Sequence, residues 1–194
     1  MILTGPQIDE ERKLGNIALE PFNPKFLGPN SYDVTLHPYL LVYIVEKGEG
    51  EEAGSFLDMK KNNPTKTIQI PDKGLILEPN QLYIGCTNEC ATSSKFVPMF
   101  EGRSSIGRLG INTHITAGFG DVGWGYSQNE NGEVICYNPT WTLEIAVVHR
   151  VKVYPNVRIG QVYFMVPKGT LQFYSGKYSK QKAPQASQLF KDFE

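Results

Sequence analysis

Hydrophobic residues in this chain fall mostly into short runs that alternate with polar ones. In WTLEIAVVH (141–149), Trp141, Leu143 and Ile145 share one face of an extended segment and Thr142 and Glu144 the other, because strand side chains alternate in direction. Several of the segments SYDVTLHPYLLVYIV (31–45), KTIQI (66–70), GLILEPNQLYIGC (74–86), KFVPMFEG (95–102), INTHITAG (111–118), GEVICY (132–137), RVKVY (150–154) and RIGQVYFMV (158–166) show the same period, with β-branched and aromatic residues that favour strands. The 19 glycines and 13 prolines punctuate the whole length, so the strands are short and joined by turns. Helical signal is confined to PQIDEERKL (6–14), with Pro6 near the first turn and acids early, and to a short piece near 102–109. The segment 174–194 is polar, contains Gly176 and Pro184, and reads as a mobile arm rather than a packed element. There is no internal repeat. The expectation is a mainly β domain over 1–173, an antiparallel barrel or jelly roll with a few short helices, followed by a flexible tail over 174–194.

Composition narrows this picture. A chain of 194 residues, 40% hydrophobic and 20% charged, suits one domain with a sizeable core. No apolar run is long enough to span a membrane, and MILTGPQIDEERKLG lacks the basic start and apolar stretch of a signal peptide. The three cysteines, Cys86, Cys90 and Cys136, cannot pair completely, and so read as reduced thiols of a cytoplasmic protein. From Trp141 onward there are eight Lys/Arg and three Asp/Glu, a charge of +5 within a total of −1, leaving −6 for the rest. A modest basic C-terminal part fits a solvated surface or a small polyanion, and argues against a nucleic-acid partner.

Three stretches carry candidate chemistry. In EGRSSIGRLG (101–110), Arg103 and Arg108 are forks suited to phosphate oxygens, Ser104 and Ser105 add hydroxyls, and glycines let backbone N–H groups approach. The alternative is a turn with exposed arginines, and the GxxxxGK[ST] loop is absent. In HITAGFGDVGW (114–124), Asp121 sits among glycines, where a short carboxylate accepts from a sugar hydroxyl or caps its own turn. His114 is an acid–base candidate or a packed strand residue. In WTLEI, Glu144 interrupts an apolar strand. In a barrel pocket it suits proton transfer; on an open face it is merely solvated.

Together NSYDVTL, EGRSSIGRLG, HITAGFGDVGW, WTLEI, RIGQVYF and YSGKYSKQ, in that order over most of the chain, resemble the dCTP deaminases of the trimeric dUTPase-like superfamily. The resemblance implies a distorted jelly-roll β-barrel and a homotrimer with active sites where subunits meet. It implies that Glu144 is the acid–base residue, that Ser104 and the Ala117 carbonyl hold the attacking water, and that Arg108 reaches a neighbour's site. Arg103 and Ser105 match the phosphate loop, and Asp121 the acceptor of the deoxyribose 3′-hydroxyl. Thr142 and Gln161 match nucleotide-pocket positions, and Tyr174, Lys177 and Gln181 the flap over the triphosphate. Mg²⁺ is expected to accompany the triphosphate, and dTTP is a candidate feedback inhibitor. The zinc-deaminase signature, H-x-E with P-C-x-x-C, is absent, so base chemistry without a metal ligand set is expected.

Two departures bear on the activity. An insertion, GYSQNENGEVICYNPT (125–140), reads as a hairpin turning at Asn129–Gly132, and it brings Glu133 in as a rival to Glu144. Gly118-Phe119 replaces the His-Arg of relatives that release dUTP and is closer to the Gly-Trp of those that also cleave it. The leading expectation is deamination of dCTP to dUTP and ammonia. The alternatives are a bifunctional enzyme forming dUMP and pyrophosphate, a plain dUTPase, or an inactive nucleotide-sensing trimer. The tail's single glycine argues against the plain dUTPase, which should carry a Gly-rich phosphate motif.

Overall fold

The computed structural model describes residues 1–48, 54–114, 116–131 and 133–194. Its main sheet joins β1 (Ile17–Glu20), β3 (Tyr39–Tyr43), β6 (Thr65–Gln69), β8 (Tyr83–Ser93), β10 (Ile111–His114) and β13 (Thr140–Val147) in the order β10-β13-β8-β3-β6, with β1 also on β8. Facing it is a three-stranded sheet of β2 (Tyr32–Thr35), β15 (Arg158–Met165) and β9 (Val97–Gly102). Three two-stranded ribbons complete the set: β4 (Glu46–Gly48) with β5 (Gly54–Phe56), β7 (Leu75–Leu77) with β14 (Val151–Val153), and β11 (Tyr126–Gln128) with β12 (Val134–Cys136). Every pairing is antiparallel. Helix α1 spans Gly5–Lys13 and α2 the single turn Ser104–Gly107. The acids of α1 lie past its first turn, where Asp9 pairs with Arg12 and Lys13 instead of meeting the helix N-terminus.

The alternation in β13 does what a half-buried strand requires. Trp141, Leu143, Ile145 and Val147 are buried, while Thr142, Glu144 and Ala146 are half-buried. The core face packs with Val162 and Phe164 of β15 and with Phe100 of β9, whose ring centroid lies 5.9 Å from that of Trp141. Trp124 meets Trp141 edge-on at 5.1 Å, closing the core beneath the 116–125 loop.

Four differences from the sequence reading stand out, and two of them follow from prolines. The run 31–45 is two strands, separated at Leu36-His37-Pro38, where Pro38 can donate to no ladder. The run 74–86 is also two, broken at Pro79, with Asn80 left-handed at φ 61°. β8 continues through Ser93, much further than the apolar pattern indicates. β1 was not anticipated. The insertion is a hairpin, Tyr126 opposite Cys136, and the Asn129 N–H donates to the Glu133 carbonyl at 3.0 Å. Gly132 of its expected turn lies outside the described residues.

Candidate active site

A cavity of about 620 Å³ opens between β13, β3 and the 116–124 loop. Glu144 and Thr142 reach it from β13, and Trp124 and Trp141 form apolar wall. Glu144 is held by one residue. The Thr116 backbone N–H and the Thr116 hydroxyl both donate to Glu144 Oε2, at 3.0 and 2.7 Å. Sharing one acceptor leaves Oε1 free of these bonds and directed by them. Ala117 lines the same cavity beside Thr116.

Asp121 also lines it. The turn there is closed by the backbone, Trp124 N–H to the Asp121 carbonyl at 3.0 Å, and the Asp121 carboxylate accepts no hydrogen bond among the described residues. The carboxylate is therefore not a cap and is available to a ligand. Gly123 makes the turn possible. It has φ 77°, and a Cβ there would stand 2.4 Å from Phe173 Cγ, so only glycine fits both the angle and the space.

The tail covers part of the cavity. Tyr174, Tyr178, Gln181 and Gln185 line it. Thr140 N–H donates to the Gln181 carbonyl at 3.1 Å, while Gln181 Nε2 donates to the Thr140 carbonyl at 2.7 Å and to Thr142 Oγ1 at 3.1 Å. Trp124 Nε1 donates to the Tyr178 carbonyl at 3.0 Å, and Ser187 N–H to Tyr43 Oη at 3.0 Å. Lys177 points elsewhere and pairs with Asp192.

The arginine-rich stretch lies apart. Arg103 and Ser104 line a second cavity of about 470 Å³, which shares Thr116 with the first. Arg103 Nε is 3.2 Å from Asp33 Oδ1, and Arg158 Nη1 is 3.0 Å from Asp33 Oδ2. Ser105 and Arg108 are exposed and line neither cavity. Gln161 accepts from the Ser31 hydroxyl at 3.1 Å. Among the described residues the 620 Å³ cavity is lined by no Lys or Arg. One chain thus brings together Glu144, Ala117, Asp121, Thr142, Tyr174 and Gln181, and leaves its phosphate-type cations outside.

Glu133 is absent from the cavity. It is exposed and bonded by Asn129, whose Nδ2 donates to its carboxylate at 2.6 Å. His114 faces Glu144 in the β10–β13 register, but its side chain lies outside the described residues. Sequence reasoning missed Thr116, Tyr178 and Gln185. Thr116 sits inside the quoted HITAGFGDVGW, yet nothing in spacing alone distinguishes a threonine that bonds a carboxylate across two strands.

The family model described as dCTP deaminase-like matches residues 2–166. The chain belongs to the dCTP deaminase-like family. It is 49% identical over 197 aligned residues to "dCTP deaminase, dUMP-forming" of Clostridium beijerinckii, covering all of this chain and 99% of that one. It is 47% identical to a protein of the same description from Leptospira biflexa, with the same coverage. Among solved structures, 2′-deoxycytidine 5′-triphosphate deaminase from Agrobacterium tumefaciens superposes with TM-score 0.56 at 20% identity. That match covers 86% of this chain and about half, 48%, of the other. It bears on fold, which is the mainly β, dUTPase-like type expected. The expectation of dUTP as product is overturned: the full-length relatives are described as dUMP-forming. No helix among the described residues is long and apolar enough to cross a membrane.

Proposed function

We propose that this protein converts dCTP and two waters to dUMP, pyrophosphate and ammonia. The observation that carries the reading is Glu144, fixed through Oε2 by Thr116, in the same cavity as the Asp121 carboxylate, which accepts no hydrogen bond among the described residues. Near-full-length relatives described as dUMP-forming support the product.

In this reading Glu144 takes a proton from a water attacking C4 of cytosine and passes protons to N3 and the departing amine. The Ala117 carbonyl holds that water, and Ser104, which lines the other cavity of its own chain, reaches it from a second copy. Asp121 accepts from the 3′-hydroxyl and orients the second water, which attacks the α-phosphorus as pyrophosphate leaves. Mg²⁺ carried by the triphosphate would supply charge neutralisation when bound, and Asp121, a hard oxygen donor whose carboxylate has no hydrogen-bond partner among the described residues, fits beside it. The base chemistry needs no zinc, since the zinc-deaminase signature is missing.

A cavity lined by no Lys or Arg among the described residues does not by itself neutralise a triphosphate. A homotrimer answers this: Arg103 and Arg108 of a second copy provide the cations. The test is a time course on dCTP with Mg²⁺, followed by phosphorus NMR and ammonia release. Uracil nucleotide appearing as dUMP with equimolar pyrophosphate supports the reading; dUTP accumulating without pyrophosphate refutes it.

A further inference from the structure

The inserted hairpin stands outside the cavity that holds Glu144, yet it touches the segment that covers that cavity. It leaves the cavity wall at Trp124 and returns at Thr140, the first residue of β13. Both ends hold the tail: Trp124 Nε1 donates to the Tyr178 carbonyl at 3.0 Å, and Thr140 N–H donates to the Gln181 carbonyl at 3.1 Å. Lys180 lies between those two tail residues, and its ammonium sits 4.5 Å from the centroid of the Tyr137 ring, just past β12. Tyr137 is itself tied down by the hairpin. The Ser127 hydroxyl of β11 donates to its hydroxyl at 3.1 Å, and its N–H donates to the Gly125 carbonyl at 2.7 Å.

The hairpin and the tail meet at a second place. A two-stranded ribbon alone is marginal in water, and this one is packed. Tyr126 of β11 is buried, with its ring centroid 6.4 Å from that of Phe173 at the root of the tail. Phe173 and Lys180 thus bracket the residues that cross from the hairpin to the Glu144 cavity, and a space of about 610 Å³ lies between hairpin and tail. Tyr126, Ser127, Tyr137 and Lys180 do not line the 620 Å³ cavity, so they act on it only through the tail.

We propose that Tyr137 is a positioning residue: its ring seats the Lys180 ammonium, and the hairpin so holds the tail where Gln181 meets Thr142. Lys180 adjoins Gln181, whose Nε2 donates to the Thr140 carbonyl at 2.7 Å and to Thr142 Oγ1 at 3.1 Å. In the proposed reaction the tail keeps the uracil nucleotide in place for the second hydrolysis; the inference rests on that reading and gives the hairpin its part in it. A ring face attracts a cation electrostatically, and at an exposed site such as Lys180 the contact shifts an equilibrium by about two- to fivefold. Losing it frees the residue beside Gln181, so the tail lifts more often and the intermediate escapes more often as dUTP.

The test measures hydrogen exchange by mass spectrometry on the full-length protein without nucleotide, which reads tail docking independently of turnover. Tyr137→Ala and Lys180→Ala should each speed exchange at the Thr140 amide and across 174–181 about two- to fivefold. The double variant should exchange no faster than either single one, because both remove the same contact. Tyr137→Phe keeps the ring and should match wild type. Lys180→Ala changes an exposed side chain and reads the contact without altering the hairpin. In turnover, Tyr137→Ala should raise KM for dCTP by the same factor, leave kcat within about twofold and release a larger share of product as dUTP, with Tyr137→Phe restoring all three. Exchange unchanged in both alanine variants, additive effects in the double variant, or Tyr137→Phe as fast as Tyr137→Ala would overturn the proposal. A wild type that releases only dUTP would refute the two-hydrolysis reading, and the exchange result would still decide whether the hairpin holds the tail.

Discussion

Thr116→Val removes the 2.7 Å hydroxyl bond to Glu144 Oε2 and leaves the 3.0 Å backbone bond in place. Hydrogen bonds to charged groups contribute about 1.5–3 kcal/mol. Thr116 is exposed and Glu144 half-buried, so water competes and the low end applies, about 1.5 kcal/mol. That corresponds to roughly a tenfold fall in kcat. KM should change little, because the valine removes a contact to the carboxylate rather than one to the nucleotide. Thr116→Ser should restore most of the rate. Glu144→Gln, by contrast, keeps the shape and loses the proton carrier, so a fall of about 10²-fold or more is expected with dCTP binding retained. Steady-state ammonia release at saturating dCTP reads the rates, and calorimetric titration reads the binding. A Thr116→Val rate within twofold of wild type would show that the backbone bond alone orients the carboxylate. An active Glu144→Gln beside an inactive Glu133→Gln would refute the assignment.

Other parts of the structure yield further tests. Truncation before Tyr174 should leave a folded protein with turnover reduced at least about tenfold, since it removes the Gln181 and Tyr178 contacts to Thr140, Thr142 and Trp124; unchanged turnover would remove the tail from the reaction. Mixing inactive Arg108→Ala and Glu144→Gln subunits after dissociation and reassembly should restore part of the activity, and a catalytically competent monomer in sedimentation would exclude the shared site. Burial raises the Glu89 carboxyl above its ordinary 4.5, against the bonds from Thr35 N–H and Oγ1. The folded state then holds this proton more tightly than the unfolded one. Its stabilising contribution is fully present below pH 4.5 and is lost as pH rises through the raised folded value. Urea titrations should therefore show the stability of wild type relative to Glu89→Gln declining over that window; a difference independent of pH would refute the sign.

How far the sequence discloses this fold depends on where polar side chains find partners. β13 and β15 are legible because their polar positions face away from the core, so the period of two survives in the letters. The second half of β8 is not, because its polar residues are buried. Thr87, Glu89, Thr92 and Ser93 are all inside. Each is satisfied by a group distant in sequence or by backbone: Glu89 by Thr35, Thr92 by the Trp124 carbonyl, Ser93 by the Asn16 carbonyl. Such bonds leave no periodic trace. The site follows the same rule. Glu144 and Asp121 stand out by type and by their neighbours, whereas Thr116 acquires its importance only when the 116–119 loop folds across β13. The tail's composition reads as solvated, yet its backbone and Gln181 find partners at Thr140 and Thr142.

In the proposed reaction these tail contacts bear on how one pocket would perform two hydrolyses. After C4 loses its amine, the uracil nucleotide must stay while a second water reaches the α-phosphorus; otherwise dUTP escapes. Retention needs a wall that opens for substrate and closes for both steps. The tail bonds β13 at Thr140 and Thr142 and β3 at Tyr43, the two sides of the cavity. Thr142 is two residues from Glu144 on the same strand face, roughly 7 Å along the strand. The group that fastens the tail and the proposed proton carrier are therefore neighbours on one strand. A tail that lifts uncovers Thr142 and admits water beside Glu144. A tail that is down leaves Asp121, in the same cavity, to direct the water that would end the proposed reaction as dUMP.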